Sequence, residues 1–167
     1  PSIHLSCHTN AKPEWKNNIA AFIPKSKSVS GMTVVGSAIG HFTTSACFQS
    51  VGEAVSELLK SRGMKITNKS YPVASDLAYN IAPLGAVQCN KRAWIDFQND
   101  VTTKDIKQSV DENFRSVEHM KRYTTQGMAT DQGKGSNVIA VALLADASGE
   151  TIEGTGTTTF RPPYTSI

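Results

Sequence analysis

Three cysteines in 167 residues, at positions 7, 47 and 89, are too few and too scattered for a disulfide framework. No Cys-x-x-Cys pair and no Cys/His spacing of the structural zinc type occurs. The longest apolar run, Val138 to Ala145, suits a buried strand and is far short of a membrane span. Charge of one sign is also lacking: 17 Lys+Arg against 14 Asp+Glu leave a formal +3, with the bases interleaved among acids, which disfavours nucleic acid as a partner. Aromatics are sparse at 7%, while 39% hydrophobic and 19% charged residues describe an ordinary globular domain. A chain of this size buries enough surface to fold without metal or disulfide staples.

The first thirty residues hold Pro13, Pro24 and many small polar side chains, and read as an irregular arm anchored by Trp15 and Phe22. The remainder, residues 31–167, reads as one domain. Met32 to Ile39 alternates at period two and predicts a strand. Thr43, Thr44 and Ser45 are N-cap residues, and Phe48, Val51, Val55, Leu58 and Leu59 recur at helical spacing until Gly63, predicting a helix over Ala46 to Arg62. Met64 to Thr67 reads as a short strand, and Ala86–Cys89 with Ala93–Phe97 as a hairpin. Thr102 and Thr103 cap a second helix whose stripe is Ile106, Val110, Phe114, Val117 and Met120. The polar loop Gly127–Ser136 then leads into a central strand, Val138–Ala145, and a threonine-rich strand, Glu150–Phe160. The expected fold is α+β: a two-layer sandwich in which two amphipathic helices cover one face of an antiparallel or mixed sheet.

For chemistry, Cys47 stands in the first turn of the first helix, where the backbone dipole favours a thiolate, and His119 is the histidine that follows it. Together they define a cysteine-hydrolase alternative. His4, Cys7, His8 and His41 lack the spacing that fixes a metal, so neither metal nor other cofactor is expected. Gly36–Gly40 lacks the glycine two residues before Ser37 that a serine nucleophile elbow needs. Gly127, Gly133 and Gly135 around Lys134 do not have phosphate-loop spacing and read as a mobile surface loop. Asp96, Asp100, Asp105 and Asp111 read as surface or capping carboxylates, and Asn68–Ser70 as a formal glycosylation acceptor. The polar last strand suits an edge that docks on a neighbouring copy, with Trp15, Ile152 and Phe160 as assembly residues.

Pro13-Glu14-Trp15, Val34 to Ala38, the helix with Glu53 to Leu58, Val110 to Phe114, Arg122-Tyr123 and Val138 to Leu143 together resemble the small bacterial surface lipoproteins called twenty-kilodalton lipoproteins. The resemblance implies a lipid anchor at Cys7 and a place in the periplasm, outer membrane or cell surface. It also implies no catalytic activity, and assembly of some relatives into flagellar rings or discs. The leading expectation is therefore a non-enzymatic envelope component that self-associates through its sheet edge and arm, as a homo-oligomer with other envelope or appendage proteins. A virion or appendage subunit is a further alternative, and no membrane span is expected.

Overall fold

The computed structural model describes residues 3–25, 29–67, 70–82, 84–87 and 90–162. Cys89 and parts of the expected 86–89 strand and of the 68–70 tripeptide lie outside them. The fold class is α+β, with helices and small antiparallel sheets, and the chain gathers into two compact units, 1–82 and 83–167.

In the first unit the arm is not irregular. A short helix, α1 (His4–His8), buries Ser6 and Cys7, and the Ser6 hydroxyl donates to the Ile3 carbonyl at 2.8 Å. Strand β1 (Pro13–Lys16) pairs antiparallel with β2 (Ala21–Pro24), setting Trp15 opposite Phe22 with their rings edge-on at 5.0 Å. The hairpin closes because Ala20 takes a left-handed φ of 46°, which reverses the chain.

The strand expected at Met32–Ile39 is absent, and a 3-10 turn spans Gly36–Ile39. Gly36 itself sits at a φ of 69° and its N–H donates to the Ser50 hydroxyl, so alternation is broken at the residue that would have to continue the ladder. The first helix is found as α2 (Thr44–Ser61), its N-cap Thr43 accepting from the Ala46 N–H at 3.3 Å and Gly63 turning left-handed beyond its end. Met64–Thr67 forms no strand.

Residues 70–82 return as an extended strap along α2. Tyr71 stacks on Phe48 with ring centres 6.1 Å apart and lies over Gly52, where any Cβ would meet the phenol ring. Tyr79 packs on Phe42 at 4.4 Å. Between them Asp76 caps the helix from outside: Oδ2 accepts the Thr44 and Ser45 N–H groups at 2.6 and 3.4 Å, and Oδ1 accepts the Thr44 hydroxyl. These are orphan donors at the positive end of the helix dipole. Asp76→Ala is expected to cost about 1 kcal/mol at low salt and less at high salt, because the cap is exposed. Urea unfolding of both chains at two ionic strengths checks it.

In the second unit β3 (Trp94–Asp96) pairs with β4 (Val101–Thr102) across the turn 97–100, and the described part of the expected partner, residues 86–87, forms no strand. The Thr102 N–H donates to Asp105 at 2.7 Å and starts α3 (Thr103–Asp111). The expected single helix is two. Asn113 turns left-handed at φ 71°, and Ser116 then caps α4 (Val117–Thr124) by accepting from the His119 N–H.

The expected central strand is instead helix α5 (Asn137–Ser148), and the threonine-rich strand is a short helix, α6 (Ile152–Thr155), followed by extended chain. An eight-residue run apolar on every side carries no period, and its alanines and leucines favour helix. Burial falls on Ala140, Val141, Leu144 and Ala145, which is helical spacing. These pack with Val101, Ile106, Val110, Val117 and Met120 as the core of the unit. Among the described residues the strands form two two-stranded ribbons, β1 with β2 and β3 with β4, in place of the single sheet expected.

Candidate functional site

The most heavily organised polar structure is the segment from Thr125 to Asn137 and the carboxylate that anchors it. Asp96 ends β3 and is 3% exposed. Its Oδ1 accepts the N–H groups of Gln98 and Asn99 at 2.9 and 3.4 Å, and its Oδ2 accepts the buried Gly127 N–H at 2.8 Å. One side chain therefore shapes the turn after β3 and ties it to a loop 31 residues later. A second link joins the Asn99 amide to the Thr125 carbonyl at 2.9 Å.

Inside the loop, Gln126 is fully buried and donates through Nε2 to the Ser136 hydroxyl at 2.7 Å. Asn137, the first residue of α5, donates through Nδ2 to the Gln132 carbonyl at 3.1 Å. Its amide lies against Gly127 and Gly133, both at positive φ, and leaves no room for a side chain on either. The expected mobile loop is thus a fixed one. The buried oxygens Gln126 Oε1, Gln132 Oε1 and Asn137 Oδ1 accept no hydrogen bond within it.

Beside the loop a groove of about 610 Å³ runs between the segment 84–87, strand β3 and helix α5. Leu84, Val87, Trp94, Phe97, Ile139 and Leu143 make it apolar, and Gln98, Asp131 and Ser136 put polar groups along it. The Arg92 guanidinium stacks over Trp94, 5.3 Å from the ring centre. The shape and lining of such a groove suit apolar or aromatic surface.

Two lysines hold the extended segment after α6. Lys121 Nζ donates to the Thr158 hydroxyl at 3.4 Å, and Lys134 Nζ donates to the Arg161 carbonyl at 2.9 Å while lying 5.8 Å from the Phe160 ring centre. Burial holds Lys121 below the usual lysine range, with Arg161 pushing the same way and Glu118 opposing. A lysine depressed in the folded state penalises folding below its folded pKa, and this penalty is relieved as pH rises toward 10.5. On the exposed surface Glu112 is held low by hydrogen bonds from Gln108 and Tyr123, and Tyr123 is raised by Glu112.

Cys47 lies in the first turn of α2, half-buried, its thiol donating to the His41 carbonyl at 3.1 Å. His119 is exposed on α4, in the second unit. Cys7 is buried in α1. Trp15 is buried in the hairpin, its Nε1 donating to Asn17 at 2.5 Å, whereas Ile152 and Phe160 are half-buried in the second unit. Among the described residues no group of three or more His, Cys, Asp or Glu side chains is placed to hold a metal. No described helix is long and apolar enough to cross a membrane. The sequence names Asp96 only among four surface or capping carboxylates, and its place between a short apolar strand and the turn-forming Asn99-Asp100 is the signal that sets it apart as a capping carboxylate.

Residues 90–167 match the family model of the sarcosine oxidase A3 domain. Along its whole length the chain is 41% identical to the sarcosine oxidase subunit alpha of Rhizobium meliloti (strain 1021) and 31% identical to that of Corynebacterium sp. (strain P-1). It spans only 17% and 18% of those two proteins. The crystal structure of L-proline dehydrogenase from P.horikoshii superposes on the whole chain with a TM-score of 0.64 at 17% identity, covering 36% of that protein, which is a likeness of fold. The surface-lipoprotein resemblance is overturned by these matches, since the quoted motifs lie in a chain that aligns end to end with oxidase subunits. With it fall the envelope, hydrolase and virion readings, the envelope or appendage partners, and the periplasmic or cell-surface location. What the chain is similar to, throughout, is one stretch of a sarcosine oxidase alpha subunit.

Proposed function

We propose that this chain serves as a structural module of a sarcosine oxidase alpha-type subunit, and so works in a multi-subunit oxidoreductase that acts on sarcosine, a secondary amine. The observation that carries the reading is the 41% identity sustained over the entire chain. The geometry supports a supporting role. The buried network at Asp96, Gln126, Ser136 and Asn137 fixes backbone and joins neither a nucleophile to a base nor acidic groups to one another. Networks of this kind hold a surface in one shape so that neighbouring parts meet it without reordering.

The test uses the natural gene product with its co-purifying subunits and follows sarcosine-dependent oxygen uptake, with L-proline as the comparison substrate. Uptake on sarcosine that is lost when the subunits are separated is the expected result. A protein with no turnover of sarcosine, or one that turns over only L-proline, overturns the reading.

A further inference from the structure

The strap over residues 70–82 is held to the first unit by side chains. It runs antiparallel to α2: Tyr71 meets Phe48 and Gly52, Asp76 meets Thr44 and Ser45, and Tyr79 meets Phe42, just before the helix. Among the described residues no backbone hydrogen bond joins it to α2 or to another element. The first unit covers little of what lies between these contacts, for Val73 is 96% and Leu77 94% exposed. A segment with few apolar contacts and no backbone ladder opens at a lower free energy than the hydrogen-bonded helix beneath it.

The contacts include two catches of different chemistry. Tyr71 occupies a notch in α2: Gly52 is buried there, and an added Cβ would meet the phenol oxygen and ring carbons. No left-handed φ requires glycine at this position, so what the missing side chain provides is the space that Tyr71 fills. Glycine in mid-helix also weakens α2 relative to alanine, so the notch works against the helix that carries it. Asp76 is an electrostatic catch, its carboxylate on the Thr44 and Ser45 N–H groups and the Thr44 hydroxyl at the positive end of the helix dipole. Both catches sit on one short extended backbone, so loosening either weakens the hold on the whole. We infer that residues 70–82 form a clasp that lifts from α2 as one unit while the helix stays folded, with the Gly52 notch and the Asp76 cap as its catches. The clasp is the last stretch of the first unit, and its release lengthens the chain that leads to the second.

The test is native-state proteolysis of the natural gene product by chymotrypsin. Cleavage after Leu77 and Tyr79 is followed by peptide mass, against a free peptide of the same sequence, and α2 is followed by amide hydrogen exchange. Gly52→Ala fills the notch and strengthens the helix, so clasp and helix are expected to respond in opposite directions. Cleavage is expected to rise about tenfold while the α2 amides beyond Ser45 exchange no faster than in the parent. Asp76→Ala is expected to raise cleavage about fivefold at the same two bonds, and added salt to raise it in the parent but not in that variant. Tyr71→Ala empties the notch without adding volume and serves in place of Gly52→Ala should that variant fold poorly. Cleavage unchanged in either variant overturns the inference, because something other than these catches then holds the strap. Cleavage that rises together with exchange along α2 overturns it as well, because the strap then opens only with the helix. So does a parent cut as fast as the free peptide, since nothing is then latched.

Discussion

Asp96→Ala is expected to destabilise the second unit by about 3 kcal/mol, among the largest effects of any single polar substitution in the chain. The carboxylate is buried and accepts three backbone N–H groups, those of Gln98, Asn99 and Gly127. Truncation leaves the Gly127 donor buried without an acceptor, while Gln98 and Asn99, nearer the surface, recover part of their loss from water. Asp96→Asn keeps an oxygen for one side of the site and turns an NH2 group toward donors on the other, so about 2 kcal/mol is expected. Urea titrations check both, through a lower midpoint at unchanged slope. A cost below about 1 kcal/mol for the alanine variant would mean that the 97–100 turn and the 125–137 loop hold each other without the carboxylate, through contacts such as Asn99 to Thr125.

The contrast between α2 and α5 explains how far the sequence could be read. In α2 the cap at Thr43, the stripe from Phe48 to Leu58 and the stop at Gly63 all agree, and the helix is where they place it. The α+β class followed from such local signals. In α5 the run from Val138 to Ala145 is apolar on every side, so periodicity is silent and tertiary burial decides. The break between α3 and α4 turns on one left-handed asparagine, Asn113, inside an otherwise continuous stripe. Strand pairing in the second unit was misread because β3 meets a two-residue partner, Val101–Thr102, too short to show alternation.

The site was harder still. Its members come from positions 96, 126, 133, 136 and 137, and each looks ordinary in its own window: an aspartate after a strand, a glutamine after threonines, a glycine beside a lysine. Only the fold shows that Asp96 and Gly127 are bonded partners. The function was not legible in local patterns, since none of the spacings read from the sequence pointed to an oxidase subunit. Loose motif similarity over separate short pieces pointed to the wrong family, and continuous identity across the whole chain corrected it.

Gly133→Ala is the second large effect, about 3 kcal/mol, and it separates two causes that coincide at this residue. The backbone sits at φ 69°, where a Cβ costs about 1 kcal/mol whatever surrounds it. The new methyl would also overlap the Asn137 amide, forcing that side chain to move and give up its hydrogen bond to Gln132. The double variant Gly133→Ala, Asn137→Ala removes the overlap and keeps the backbone cost. In the Asn137→Ala background the glycine substitution is therefore expected to cost only about 1 kcal/mol, a coupling of about 2 kcal/mol between the two positions. Gly135, two residues on, has open space around its Cβ position and no positive φ, so Gly135→Ala is expected to stay within about 0.5 kcal/mol of the parent. Equal costs at positions 133 and 135 would show a loop that yields freely. A large cost at 133 that Asn137→Ala relieves would show one locked by the first side chain of α5, which the proposed supporting role requires.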